Sequence, residues 1–263
     1  MNGPIEIGSL QLVLALVFVL AAGGVSLAYG LGLTRDLVWG TVRTFAQLFL
    51  MGYALKIIFG LESGILVILV FAVMITFAAR IVKKRVAEKS VNYGPPVFLA
   101  TFVSYMAVTV VVTGVIVGAE PWWKPQYFLP LGGMVVGNSM NALALSLERL
   151  FSGLRDRREE VEMRLTLGAD SWEASREIVM NALKAGMIPS INSMMGVGIV
   201  FIPGMMTGQI LAGADPLTAV RYQIVVMLML VASTAISAYL AVFLARKRCF
   251  NEAHGLKIPR AET

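Results

Sequence analysis

Charge is scarce in this chain. Of its 263 residues 14% are charged, where a soluble domain usually carries about 25%. One cysteine, Cys249, excludes an internal disulfide, and one histidine, His254, excludes a histidine-rich metal site within a single chain. No G-x-x-x-x-G-K-[ST] phosphate loop occurs anywhere, so if ATP drives this chain the hydrolytic site stands on another polypeptide, and the chain itself is not expected to be an enzyme. No Lys or Arg precedes the first apolar run, only Glu6, so that run reads as a retained span rather than a cleaved leader. Carboxylates at membrane depth are nearly missing: Glu148 sits at a span end, and Glu120 and Asp215 fall in loops. An ion-driven secondary transporter usually shows such carboxylates together with internal repeats, and neither is visible.

What is abundant is apolar surface. The chain is 57% hydrophobic with a mean hydropathy of +0.77, which predicts an all-α, polytopic integral membrane protein forming a single compact transmembrane domain over residues 1–263. Apolar runs place spans at 8–31, 37–59, 63–82, 97–118, 127–149, 188–212 and 219–245, seven in all, in a multi-pass protein of the plasma (inner) membrane. With the N-terminus outside and the C-terminus cytoplasmic, the inner face holds Arg35, Arg80, Lys83, Lys84, Arg85, Lys89, Arg149, Arg155, Arg157, Arg158, Arg164, Arg176, Lys184, Arg246, Lys247, Arg248, Lys257 and Arg260, eighteen of the 22 basic residues. That bias fixes the orientation and accounts for the net charge of +6 without nucleic acid. Trp122, Trp123, Tyr127 and Phe128 flank an outer turn, where amphipathic rings favour the interface.

The stretch Met187–Gly213 is long enough to span a bilayer, yet Pro189, Gly196, Gly198, Pro203, Gly204 and Gly208 punctuate it. Proline removes a backbone donor and glycine loosens a helix, so a break or hinge is expected at Pro203-Gly204. Broken membrane helices expose backbone groups to protein or to a polar path, which is where many transporters bind cargo; a kinked packing helix is the plainer alternative.

Residues 150–187 are too polar for lipid. Asp156 with Glu159, and Asp170 with Glu173, each read as a helix start, and Gly168 and Gly186 as stops. Two short helices joined at Leu167-Gly168-Ala169 follow, the second amphipathic through Trp172, Ile178, Val179, Ala182 and Leu183; a pair lying flat on anionic lipid is the alternative.

Other polar residues lie at membrane depth. Arg43 and Gln47 are one turn apart on the second span; they read as a contact for a polar or anionic solute, as a structural pair joined by Glu148, or as an arginine snorkelling to the inner interface. Asn138 and Asn141 share a face of the fifth span, where Gly133 and Gly137 suit close helix approach, so they either line a path or bond a neighbouring helix. Asn192, Met205, Met206 and Gln209 lie in or beside the broken segment, as does Met194-Met195. Thioethers suit Cu(I) better than iron, and methionine is also a common core filler.

The segment EVEMRLTLGADSWEA resembles the coupling loop of ATP-binding-cassette (ABC) permeases, with Glu162, Leu167, Gly168 and Ala169 matching in order and Met163 where alanine is usual. Together RTFAQL (Arg43–Leu48), GNSMNALALSLERL (Gly137–Leu150), Met187–Gly213 and RYQIVVM (Arg221–Met227) are similar to the FetB-type iron-export permease family, whose plant members are linked to aluminium tolerance and proposed nucleotide-sugar transport. The resemblance spans nearly the full length. It implies a permease paired with a cytoplasmic ABC ATPase subunit, two copies of each, with ATP and Mg bound on that partner, and export of iron. It implies no cofactor in this chain. The residues themselves offer no evident tight iron site, so the metal ligands stay undefined, and a polar anionic solute, an ion-driven transporter and a non-transporting anchor for an ATPase stay open beside iron export.

Overall fold

The structure, a computed structural model, describes residues 5, 7–61, 63–253 and 255–259; Glu6, His254 and Arg260 lie outside them. The described residues form helices α1 (Ser9–Ala28), α2 (Thr34–Leu61), α3 (Gly64–Arg85), α4 (Gly94–Val110), α5 (Pro125–Asp156), α6 (Arg158–Thr166), α7 (Ser171–Gly196), α8 (Gly204–Leu211) and α9 (Pro216–Cys249). A π-helical turn, Val111–Ile116, prolongs α4. Among the described residues there is no β-strand, only two isolated bridges. Among the described residues six helices are long and apolar enough to cross a membrane: α1, α2, α3, α4 with its π-turn, α5 and α9. The seventh expected span is not one helix. It is the end of α7, a seven-residue gap at Val197–Pro203, and α8.

Two compact units divide the chain. One gathers α1 and α2 with Gln209–Ala214, and the other holds Ser63–Gly208 and the chain from Asp215 onward. In the first, α1 and α2 pack on each other, and Ser26 Oγ accepts a hydrogen bond from Leu33 N at 3.1 Å across the turn between them.

The larger unit is built around α5, which packs against α3, α4, α7 and α9. Its core runs from Phe71 and Phe128, edge to face at 5.2 Å, to Leu147, Leu150, Phe151 and Leu154, all buried. Phe128 is therefore a core ring rather than an interfacial anchor. Small side chains set how close the helices come. Phe71 fills the space a Cβ would need at Gly132, and Ile178 does so at Gly153. Gly133 faces Met74, whereas Gly137 opens on empty space, so the expected Gly133/Gly137 contact face is only half used.

Gly186 does not stop a helix. It is buried inside α7, where a Cβ would stand 1.9 Å from Ser146 Oγ and 2.8 Å from the Ala142 carbonyl of α5. The local rule for a glycine stop loses to this close approach, and α7 continues through Pro189 to Gly196. Asp156 likewise does not open α6: it ends α5, and Arg157 precedes α6 instead.

A polar seam lies inside the larger unit. Ser139 and Ser233 hydroxyls sit 3.0 Å apart between α5 and α9, and those of Ser190 and Thr234 3.3 Å apart between α7 and α9. In hydrocarbon such bonds contribute about 0.6 kcal/mol on average, enough to prefer one helix register over another.

Gly186→Ala should destabilise the chain by about 1–3 kcal/mol, because the Ala142 carbonyl is backbone and cannot yield. Gly137→Ala, with nothing in its way, should stay within about 0.5 kcal/mol of the parent. Thermal unfolding of both variants in detergent checks the pair.

Candidate functional site

The polar elbow between α6 and α7 is defined by two capping motifs in immediate succession. At the end of α6 the Gly168 amide donates to the Leu165 carbonyl and the Ala169 amide to the Arg164 carbonyl, both at 3.1 Å, with Gly168 at φ +96°. This is the glycine-terminated helix end that satisfies the last carbonyls. At the start of α7 the Asp170 carboxylate accepts from Trp172 N and Glu173 N, each at 2.7 Å. Glu173 in return accepts from Asp170 N at 3.0 Å. The turn between the helices is thus fixed by its own backbone and by the Asp170 and Glu173 carboxylates. Leu167, at its tip, is 80% exposed, and Met163 is 55% exposed.

Ion pairs brace the elbow from behind. Arg157 holds Glu160 through two nitrogens at 2.7 and 2.8 Å and reaches Glu177 of α7 at 2.8 Å. Arg164 holds Glu160 at 2.6 Å. The Arg157 guanidinium, first by its hydrogen bonds and then by its charge, keeps both Glu160 and Glu177 below the ordinary carboxylate range. Nearby, Arg155 at the end of α5 meets buried Glu88 at 2.5 Å. Burial alone raises the Glu88 pKa, but hydrogen bonds from Ser90 and Arg155 outweigh it and the net shift is downward.

Two further contacts hold this end of the unit. Arg246 of α9 lies over the rings of Trp172, Phe243 and Phe250 at 5.2, 5.6 and 6.0 Å. The chain after α9 turns back on itself: Lys257 N donates to the Cys249 carbonyl at 2.7 Å. Ile258 is fully buried in the same core cluster as Val161 of α6. The Ile258 carbonyl accepts from Arg158, whose Nε also holds Glu162 at 2.7 Å. Among the expected elbow residues, then, Glu162 helps brace α6, while Leu167 and Gly168 form the exposed tip with Ala169 beside them.

From this elbow α7 runs 26 residues without interruption, about 39 Å at 1.5 Å per residue. It ends at Gly196, and the gap that follows is folded on itself. The Gly198 amide, at φ +85°, donates to the Phe201 carbonyl at 2.9 Å. The break thus begins at Val197, six residues before the expected hinge, and Pro203-Gly204 is where helix resumes in α8. Beside it is a cavity of about 380 Å³ lined by Met194, Val197, Gly198, Met206, Val220, Gln223, Ile224, Met227 and Leu228.

The expected path residues fall in separate places. Asn192 is exposed on α7, and Met205 and Met206 are half-buried on α8. Gln209, also on α8, has a buried Oε1 without a hydrogen-bond partner. Asn138 and Asn141 are exposed on α5, and Asn141 Oδ1 accepts from Arg85 at 2.6 Å. Arg43 and Gln47 are exposed on α2, in the other unit. Glu148, considered as a partner for Arg43, accepts from Ala87 N at 3.1 Å. Gln223 and Met227 had not stood out by themselves in RYQIVVM, because one amide and one thioether in an apolar helix read as packing.

Residues 9–250 match the model of UPF0014, described as an uncharacterised protein family. This chain belongs to that family. Its relatives include the UPF0014 membrane protein YjkA of Bacillus subtilis, 35% identical over 94% of this chain and 98% of its own. They also include the probable iron export permease protein FetB of Escherichia coli, 31% identical over 94% of each chain, and the protein ALUMINUM SENSITIVE 3 of Arabidopsis thaliana, 31% identical over 92% of this chain and 88% of its own. No solved structure matches. With its family and its six apolar helices, the chain is a multi-pass membrane protein of a permease family.

The bracing of this UPF0014 elbow depends on pH in a defined direction. Glu160 and Glu177 have folded pKa values below their unfolded ones, so their contribution is complete above the ordinary carboxylate range and is lost as pH falls through the lowered values. Protection factors of the α6 amides, with the intrinsic pH dependence of exchange divided out, should therefore be high at neutral pH and fall in acid, and Arg157→Ala should show the lowered protection already at neutral pH.

Proposed function

We propose that this chain is the membrane-spanning subunit of an ABC exporter, driven by a separate cytoplasmic ATPase that docks on the elbow. The observation that carries this reading is mechanical. An exposed apolar tip, Leu167, sits on a turn fixed by caps on both sides, and the helix leaving that turn passes unbroken to the broken segment. A push at the tip is transmitted along α7 rather than absorbed at a joint. The break, with its adjoining cavity, is where a small displacement of α7 changes what cargo meets.

The orientation follows from charge. The ends of α3 and α9 carry Lys83, Lys84, Arg85 and Arg246, Lys247, Arg248, and the elbow is itself arginine-rich. Those ends lie in the cytoplasm under the positive-inside rule, which gives seven passes with the broken segment counted as one, the N-terminus outside and the C-terminus inside. Two copies of the chain would work with two of the ATPase, and the ATP and Mg chemistry would belong to that partner.

Iron is the leading cargo because a relative of near-equal length, FetB, carries the name of a probable iron export permease. Among the described residues no group of three or more His, Cys, Asp or Glu side chains gathers to hold a metal.

Leu167→Asp should abolish copurification with the ATPase and ATP-driven transport while membrane insertion and thermal stability stay at parental levels. Copurification and coupled transport at the parental level would remove the elbow from this role. Vesicles containing both subunits, supplied with Fe(II), chelated iron or a nucleotide sugar, decide the cargo.

A further inference from the structure

We propose that the cavity at the α7–α8 break is a thioether site for a soft monovalent cation of the Cu(I) or Ag(I) class. Fifteen methionines are spread along the chain, and the fold selects three of them for this one cavity. Met194 comes from the last turns of α7, Met206 from the first turn of α8, and Met227 from the middle of α9. They reach it from three helices and from both sides of the break. Met227 is buried and Met206 half-buried, whereas Met195, next to Met194 in sequence, is 66% exposed and takes no part.

A second observation points to a ligand. Gln223, 6% exposed, also lines the cavity, and its Oε1 is buried with no hydrogen-bond partner. A buried acceptor left unpaired costs about 1–3 kcal/mol, and a turn of the Gln223 side chain toward the cavity it borders would give that oxygen a partner there. A lipid tail or a packed side chain would leave that oxygen as it is. A cation accepts its lone pair.

Charge and softness then choose the cation. No lining residue is ionisable. In a neutral cavity the desolvation cost grows as the square of the charge, so a divalent ion is penalised about four times as heavily as a monovalent one of the same size. Thioethers are soft donors that select Cu(I) over Fe(II), which prefers imidazole and carboxylate. Three neutral sulfurs and one amide oxygen also bind weakly enough to release what they bind, as a transport site requires. Because Met194 and Met206 stand on opposite sides of the break, a bound cation would draw the two helix ends together. The role as a cargo site rests on the transporter part of the reading above and departs from it in the metal carried; the binding rests on neither.

The test uses the full chain purified in detergent, with Cys249→Ala removing the one thiol that would compete. Ag(I), a redox-inert probe of the same softness, is titrated in chloride-free buffer. Binding should saturate at one Ag(I) per chain, with sulfur neighbours in the X-ray absorption spectrum. Met206→Leu and Met227→Leu, which keep side-chain volume, should each weaken binding at least tenfold, and Met180→Leu, elsewhere on α7, should leave it unchanged. Absence of saturable binding, neighbours that are only oxygen or nitrogen, or parental affinity in the Met206→Leu Met227→Leu double variant would each overturn the proposal. Should Met227→Leu fail to fold, Met206→Leu, at a half-buried position, decides. A chain that binds Ag(I) here but couples to no ATPase would sink the transport reading and leave the site standing.

Discussion

The approach of α7 to α5 at Gly186 is the contact on which the rest of the larger unit depends. There the two helices come so near that a single added carbon would overlap Ser146 and press on a backbone carbonyl. Only glycine permits the fit, which holds α7 against α5 three residues before a proline that the helix runs through. Remove it, and the elbow and the broken segment become two loosely joined pieces instead of the two ends of one rod.

What holds the rod at each end differs in kind. At the polar end the restraints are charged and local: two caps, a cluster of arginines with glutamates, and a guanidinium among aromatic rings. Within the apolar region they are sparse hydroxyl pairs, Ser139 with Ser233 and Ser190 with Thr234, that fix register without adding much strength. Such an arrangement concentrates the strong restraints at the polar end and leaves the interior register to small side chains and few hydroxyl pairs.

Much of this was legible in the sequence because it rests on local rules. Asp170 with Glu173 forms the cap its spacing predicts, Gly168 takes a positive φ at the helix end, and alternating charge and apolar runs mark the helices. The failures are equally instructive. Gly186 has the look of a terminator, but its meaning comes from Ser146, forty residues away in the chain. Asp156 suits a cap, yet α5 simply runs on to meet it. The break starts at Val197 rather than at Pro203, since Gly198 and Phe201 bond to each other across the gap. Phe128 fits an interfacial ring by position and proves to be core, because Phe71 is there to receive it. Gln223 carried no signal at all, for an amide acquires significance only when the space in front of it is known.

The segment after α9 carries a practical consequence. Its Ile258 lies beneath α6, and its carbonyl is gripped by the same arginine that steadies Glu162. A purification handle or fluorescent reporter fused just behind this residue would hang from the foundation of the elbow, so such fusions risk silencing the protein while leaving its abundance untouched. An insertion near the Gly30–Gly32 turn, in the other unit, is the safer place for a label.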